Sequence, residues 1–383
     1  MNARKSLLSI AVLVALSGAA LADGGSVNTR QAGDHNVLTV DQAFAAGSNV
    51  TIKQTGSQND SAVNQTGARN NATVSQASAA SLPSGVDQVA RLNQGGERND
   101  ASIYQQGTTA GKASATINQA LHGGSHNKAS ISQVAGRDNA TALINQAGTA
   151  NKGFINQEKT IAGAATINQN GIGNYGEINQ TDSYIGESVK VSQTGLGNKG
   201  LINQYDTDFK NASIDQGGLS NYGYIEQTGA NFGGADIAQN GSFNHARALQ
   251  RSGNNMNASI VQTGVGNRAT TDQAGHDHTA TIKQDGAHNG LASVTQRGNT
   301  QTASVTQDWG SNNVAFVDQS GAHNEETLLQ SGFNNNASVT QSGFGAAGVG
   351  YVNTVSLTQT GNLHSATVSQ SGGAGNSAVI VQR

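Results

Sequence analysis

The sequence predicts an all-β protein, a two-sheet parallel β-solenoid of about 15 strand–arc–strand–arc coils with uncapped ends. Three observations carry that expectation. Thirty of the 34 glutamines in the 383-residue chain fall into one register. The residues before each of them alternate with period two. The composition, finally, cannot fill a thick core: apolar residues make up 35%, mostly Ala, Val and Ile, and aromatics 4%.

Composition also removes whole classes of function. Charged residues are 12%, against about 25% in ordinary domains. Formal net charge is −3, or −5 without Arg4 and Lys5. That excludes a basic nucleic-acid footprint and a highly charged disordered chain. With no Cys, disulfides, thiolate metal sites and Cys nucleophiles are absent together.

Taken in order, residues 1–22 read as a secretory signal peptide. Arg4 and Lys5 form the positive start, Leu7 to Leu16 the apolar run, and Ala20-Leu21-Ala22 the cleavage site before Asp23. The run is shorter than the roughly 20 apolar residues that span a bilayer, so the expectation is export without stable membrane insertion. Residues 23–30 form a short N-terminal segment, and residues 31–383 the repeat.

The register begins Gln31, Gln42, Gln54, Gln65, Gln76 and ends Gln359, Gln370, Gln382. Of its 29 steps, fifteen are 11 residues and eight are 12, so two arms make a turn of about 23. Two positions before the anchor, Val, Ile or Leu stands in 27 of 30 cases. Four before, Ala, Gly or Ser stands in 24, and six before, Asn stands in sixteen. The unit Asn-x-Ala-x-Val/Ile-x-Gln is a strand with one face inward and the other, rich in Thr, Ser, Asn, Lys and Asp, toward water.

Each strand is expected to end in an arc. Gly lies two residues after the anchor in 20 of 29 cases, as at Gly56, Gly67, Gly195, Gly264 and Gly361, where positive φ would let the chain reverse. The two 18-residue steps predict looped-out arcs at Ala77–Val89 and Ser342–Asn353, the first holding the only proline, Pro83. Fifteen coils stacked at the strand spacing would make a rod on the order of 70 Å long.

Inward amides need partners, since an unpaired buried polar group costs about 1–3 kcal/mol. Stacking supplies them, because each carboxamide meets its own copy above and below. The expected ladder residues include Gln54, Gln65, Gln76, Asn70, Gln193, Asn198, Gln204, Gln262, Asn267, Gln273, Gln359, Gln370, Asn376 and Gln382. Because the repeat runs from close to Asp23 as far as Gln382, both terminal coils are expected to expose strand edges and to add end to end.

Gln65-Thr-Gly-Ala-Arg-Asn-Asn-Ala-Thr-Val-Ser-Gln76 and Gln262-Thr-Gly-Val-Gly-Asn-Arg-Ala-Thr-Thr-Asp-Gln273 resemble the curlin repeat, whose core reads Gln-x-Gly-x-x-Asn-x-Ala-x-x-x-Gln. The resemblance covers roughly residues 26–382. It implies a structural subunit of curli-like fibres, the extracellular functional amyloid of a bacterial biofilm matrix, serving adhesion and cell aggregation. It further implies export through the periplasm and an outer-membrane secretion channel, and nucleation by a minor subunit. The last arm, Ala378-Val-Ile-Val-Gln382, keeps the pattern and suits a major subunit. The alternative is a monomeric secreted solenoid whose flat polar face binds ice, glycan or another surface.

No enzyme is expected, and no cofactor. Acidic residues recur at no spacing suited to acid–base work. His276-Asp-His278 has too few ligands for a structural zinc site and is read as the polar edge of an arc. His35, His126, His288 and His323 each precede an Asn, with His288 and His323 on opposite edges, so no metal column is expected. Outward Asp215, Asp272 and Asp318 suit gatekeeping charges or plain solubility. Glu326 falls on an inward small-residue position, which predicts a local kink or register adjustment.

Overall fold

In the computed structural model the described residues are 24–78, 88–107, 113–120, 123–135, 139–184, 188–344 and 352–383. The expected signal segment and most of both long arcs, Pro83 included, lie outside them. The described chain forms strands joined by arcs, with every strand pair parallel, a stacked-coil β-solenoid of about 14 turns. It divides into two compact units, Met1–Gly186 and Glu187–Arg383.

In the first unit, each strand pairs with the strand two further on. Ser26–Ala32 lies beside Asn49–Thr55, and Val37–Ala43 beside Asn59–Thr66. The register aligns like with like: Val27 with Val50, Gln31 with Gln54, Val40 with Val63. Two stacks result, and their inward residues close a narrow core of Ile52, Val74, Ile103 and Ile131 in one stack and Val63, Leu92, Ile117 and Ile144 in the other, none more than 1% exposed. Small Ala, Gly or Ser two residues before most of these keeps the slot thin. One column of wide side chains is all that a two-layer coil of this size can bury.

The second unit repeats the scheme. Val191, Ile214, Ile237, Ile260 and Ile282 form one inward column and Ile202, Ile225 and Val294 belong to the other, all buried. Here the arcs themselves pair. Tyr222–Ser242, His245–Val265, Arg268–His288 and Leu291–Ser311 are 21-residue strands, each covering two arms and the arc between. Sequence periodicity suggests bare turns at these places. It misses the pairing because arc-to-arc bonds are main-chain bonds and leave no side-chain signature. Length differences are absorbed in the arcs: register shifts fall between Arg251 and Asn254, Gln262 and Gly264, and Asp308 and Gly310.

No shift occurs at Glu326, which pairs in register with Ala303 on one side and Val355 on the other. The expected kink is therefore absent. Glu326 is 1% exposed, both carboxylate oxygens lack a hydrogen-bond partner, and burial pushes its pKa well above the ordinary value. The coil takes the side chain without bending, and burial favours its protonated form.

Candidate functional site

The chemistry of the core is concentrated in its carboxamides. In the first unit one row of hydrogen bonds runs Gln31, Gln54, Gln76, Gln105, Gln133, Gln157, Gln180, with Nε2 of each donating to Oε1 of the next at 2.6–3.0 Å. A second runs Gln42, Gln65, Gln94, Gln119, Gln146, Gln169 at 2.7–2.9 Å. In the second unit the rows are Gln193, Gln216, Gln239, Gln262, Gln284, Gln307, Gln330, Gln359, Gln382 and Gln204, Gln227, Gln250, Gln273, Gln296, Gln319, Gln341, Gln370. Every donor points toward the higher residue number. The second N–H of Nε2 goes to a main-chain carbonyl, as from Gln239 to Tyr222 at 3.0 Å and from Gln250 to Gly234 at 3.0 Å.

The asparagines work differently from the glutamines. Asn198 Nδ2 donates to the Thr194 carbonyl at 2.9 Å and to the Gly218 carbonyl at 3.1 Å, while its Oδ1 accepts the Asn221 backbone N–H at 3.0 Å. Asn70 and Asn267 are held in the same way, and Asn376 keeps the first of these bonds, to Gly372. Each of these side chains closes its own arc onto the residue four before it. Asn70, Asn198 and Asn267 also fix the next coil's entry into its strand. This is the physical reason for the spacing Gln-x-Gly-x-x-Asn.

The arc glycines Gly56, Gly67, Gly195, Gly264 and Gly361 all have positive φ. At Gly195 a second constraint acts, because a Cβ there would sit 2.1 Å from the Gly218 carbonyl oxygen of the next coil. Glycine is needed for the turn and for the closeness of the stack.

A further row escapes the sequence argument. On the outward side of the first unit, Asn64, Asn93, Asn118, Asn145 and Asn168 join Nδ2 to Oδ1 at 2.7–2.9 Å. All five immediately precede an anchor glutamine. That position taken on alternate arms is the signal that would have revealed them.

Several side chains interrupt the pattern in the second unit. Lys210 stands where Asn would, fully buried, and its Nζ reaches Gln250 Oε1 at 3.1 Å past Gly233, which has no side chain to block it. His278 is likewise inward and buried, not on an arc edge as its neighbourhood in sequence suggests. Its Nε2 lies 3.1 Å from the Ala274 carbonyl while Nδ1 has no partner, and burial lowers its pKa. Gln301 Oε1 and Thr271 Oγ1 are also buried without partners. Among the described residues no group of three or more His, Asp or Glu is placed to hold a metal ion. Outward Asp272 and Asp318 face Arg251 at 3.6 Å and Arg297 at 4.0 Å, exposed pairs of little energetic weight.

The outermost rungs differ from the rest. Gln31 and Gln42 are only part-buried; each donates onward, but among the described residues neither Oε1 receives a carboxamide donor. At the far end of the second unit, Gln370 and Gln382 are part-buried too. Their Nε2 groups reach the Thr354 and Ser365 carbonyls at 3.1 Å, with no glutamine acceptor beyond among the described residues. Among the described residues, the strands that carry these four each pair on one side only.

The family model for the curlin associated repeat matches residues 234–264, 254–286, 288–321 and 353–383. No curated protein matches the chain.

Proposed function

We propose, on the premise that the chain is a curlin-repeat protein, that it is a structural subunit of an extracellular amyloid fibre in a bacterial matrix. The observation that carries the reading is the pair of unfinished rungs. Gln31 and Gln42 offer acceptors on one terminal coil, and Gln370 and Gln382 offer donors on another. Placed donor face to acceptor face, a second copy continues both rows and pairs the open strand edges. Head-to-tail contact of this kind is heterologous, and a heterologous contact whose rotation does not return on itself propagates as a filament.

Secretion behind residues 1–22, passage through a dedicated outer-membrane channel, nucleation by a minor subunit, and adhesion between cells complete the proposal. They rest on the repeat family. The role is structural, with no catalysis required of it.

The test is incubation of purified residues 23–383 with an amyloid dye, followed by electron microscopy and fibre diffraction. Fibres with a meridional spacing of about 4.7–4.8 Å are expected. A concentrated sample that stays monomeric for days would refute the reading and favour the surface-binding alternative.

A further inference from the structure

The outward faces are not uniform. On one face of the second unit, register places Lys199, Tyr222, His245 and Arg268 in successive coils, and Leu201, Tyr224 and Arg247 in the column beside them. Rungs are about 4.7–4.9 Å apart and the two columns about 7 Å. The side chains order one another. Tyr222 and His245 stack at 4.6 Å between ring centroids, Lys199 Nζ lies 5.7 Å from the Tyr222 ring, and Arg247 lies 5.5 Å from the Tyr224 ring.

No acidic residue occurs in either column over these coils. Two carboxylates one column further on, Glu226 and Asp272, face Arg251 at 3.9 and 3.6 Å, and the Tyr224 hydroxyl donates to Glu226 Oε2 at 2.6 Å. Arg247 and Arg268 have no ion-pair partner among the described residues. Burial, then Arg268 and Arg247, holds the His245 imidazole below its usual pKa, so the fixed charges of the stripe are Lys199, Arg247 and Arg268. A chain of net charge −3 thus carries a local cationic stripe about 14 Å long, counted as three rungs.

We infer that this stripe binds a carboxylate-bearing polysaccharide, laid along the stack with its acid groups on Arg247, Arg268 and Lys199. Guanidinium groups match carboxylates with two parallel hydrogen bonds, and Arg247, held over the Tyr224 ring, keeps its charge for a ligand. Single-stranded nucleic acid is the weaker fit. It binds such surfaces by stacking bases on open aromatic faces, and here the Tyr222 ring is sandwiched between His245 and Lys199 while Tyr224 is covered by Arg247. The inference does not depend on polymerisation, because the stripe is on a lateral face.

The experiment measures binding of the full mature chain to a polyuronate, a neutral glucan and single-stranded DNA at low and high salt. Two double variants of equal charge change are compared, Arg247→Gln/Arg268→Gln and Lys53→Gln/Lys190→Gln, with circular dichroism as the folding control. The arginine variant should lose about tenfold in polyuronate affinity, the lysine variant should keep it, and binding should weaken with salt. Equal losses in both variants, equal binding of neutral glucan, or DNA binding as tight and as dependent on the two arginines would each overturn the assignment.

Discussion

Replacing Gln262 by Leu tests whether the amide rows act as single objects. Gln262 is fully buried, accepts from Gln239 at 2.8 Å and donates to Gln284 at 2.8 Å. The substitution orphans one N–H on Gln239 and Oε1 on Gln284. At about 1–3 kcal/mol for each stranded group, the cost is about 2–6 kcal/mol. Replacing Gln284 as well does not double that figure. It moves the stranded acceptor from Gln284 to Gln307, the next partner in the row, and still leaves two orphans. The double variant should therefore cost about as much as the single one, a large departure from additivity for two separately damaging changes. Amide hydrogen exchange in residues 257–284 is the assay, because a repeat array need not unfold in one step. Opening should become between about 30-fold and about 10^4-fold more frequent in the single variant and change little further in the double. Gln382→Leu, at a part-buried rung where water can replace the lost partner, should cost under about 1 kcal/mol. Additive losses, or an interior change no worse than the terminal one, would refute the row as the cooperative element.

Three further outcomes are expected. Glu326 has a folded-state pKa raised well above 4.5 by burial, so its contribution is fully present below that value and is lost as pH rises through the folded pKa. Glu326→Val should flatten the fall in unfolding midpoint on going from pH 4.5 to pH 8, and an unchanged slope would assign the pH dependence elsewhere. His278 has the opposite sign: its lowered pKa means stability present above the usual 6.5 and lost as pH falls through the folded value, and His278→Asn should remove that acid sensitivity in a titration of local exchange. Gly195→Ala combines an unfavourable φ of 109° with a contact of 2.1 Å to backbone and should prevent regular stacking there. Gly173→Ala, with φ of 67° and nothing within 4 Å, should cost only about 1 kcal/mol, and equal effects on fibre yield would sink the close-approach argument.

The sequence reveals which side chains point inward, because period two and a fixed anchor are properties of side chains. Gln54 and Ile52 could be placed from spelling alone. What it hides is whatever the main chain or the proton decides. The paired arcs of Tyr222–Ser242 depend on backbone bonds. Asn198 shares the inward face with Gln204 but spends its amide on carbonyls of the arc, a difference set by a side chain one methylene shorter. Glu326 stays in line with Ala303 and Val355 while burial raises its pKa, which no pattern of letters records. Lys210 falls on the inward Asn position, but where its charge goes is hidden until it is seen to reach Gln250 past Gly233.

Each buried carboxamide is a small dipole, and within each unit every glutamine dipole is aligned the same way along its row. One amide turned over would set N–H against N–H on one side and oxygen against oxygen on the other. Orientation is thus inherited from neighbour to neighbour and cannot be corrected locally. Alignment also lets the bonds polarise one another, leaving opposite partial charge at the two poles of a row, as in an α-helix. An incoming molecule presented backwards meets a like pole, so the stack carries an arrow that each addition must copy.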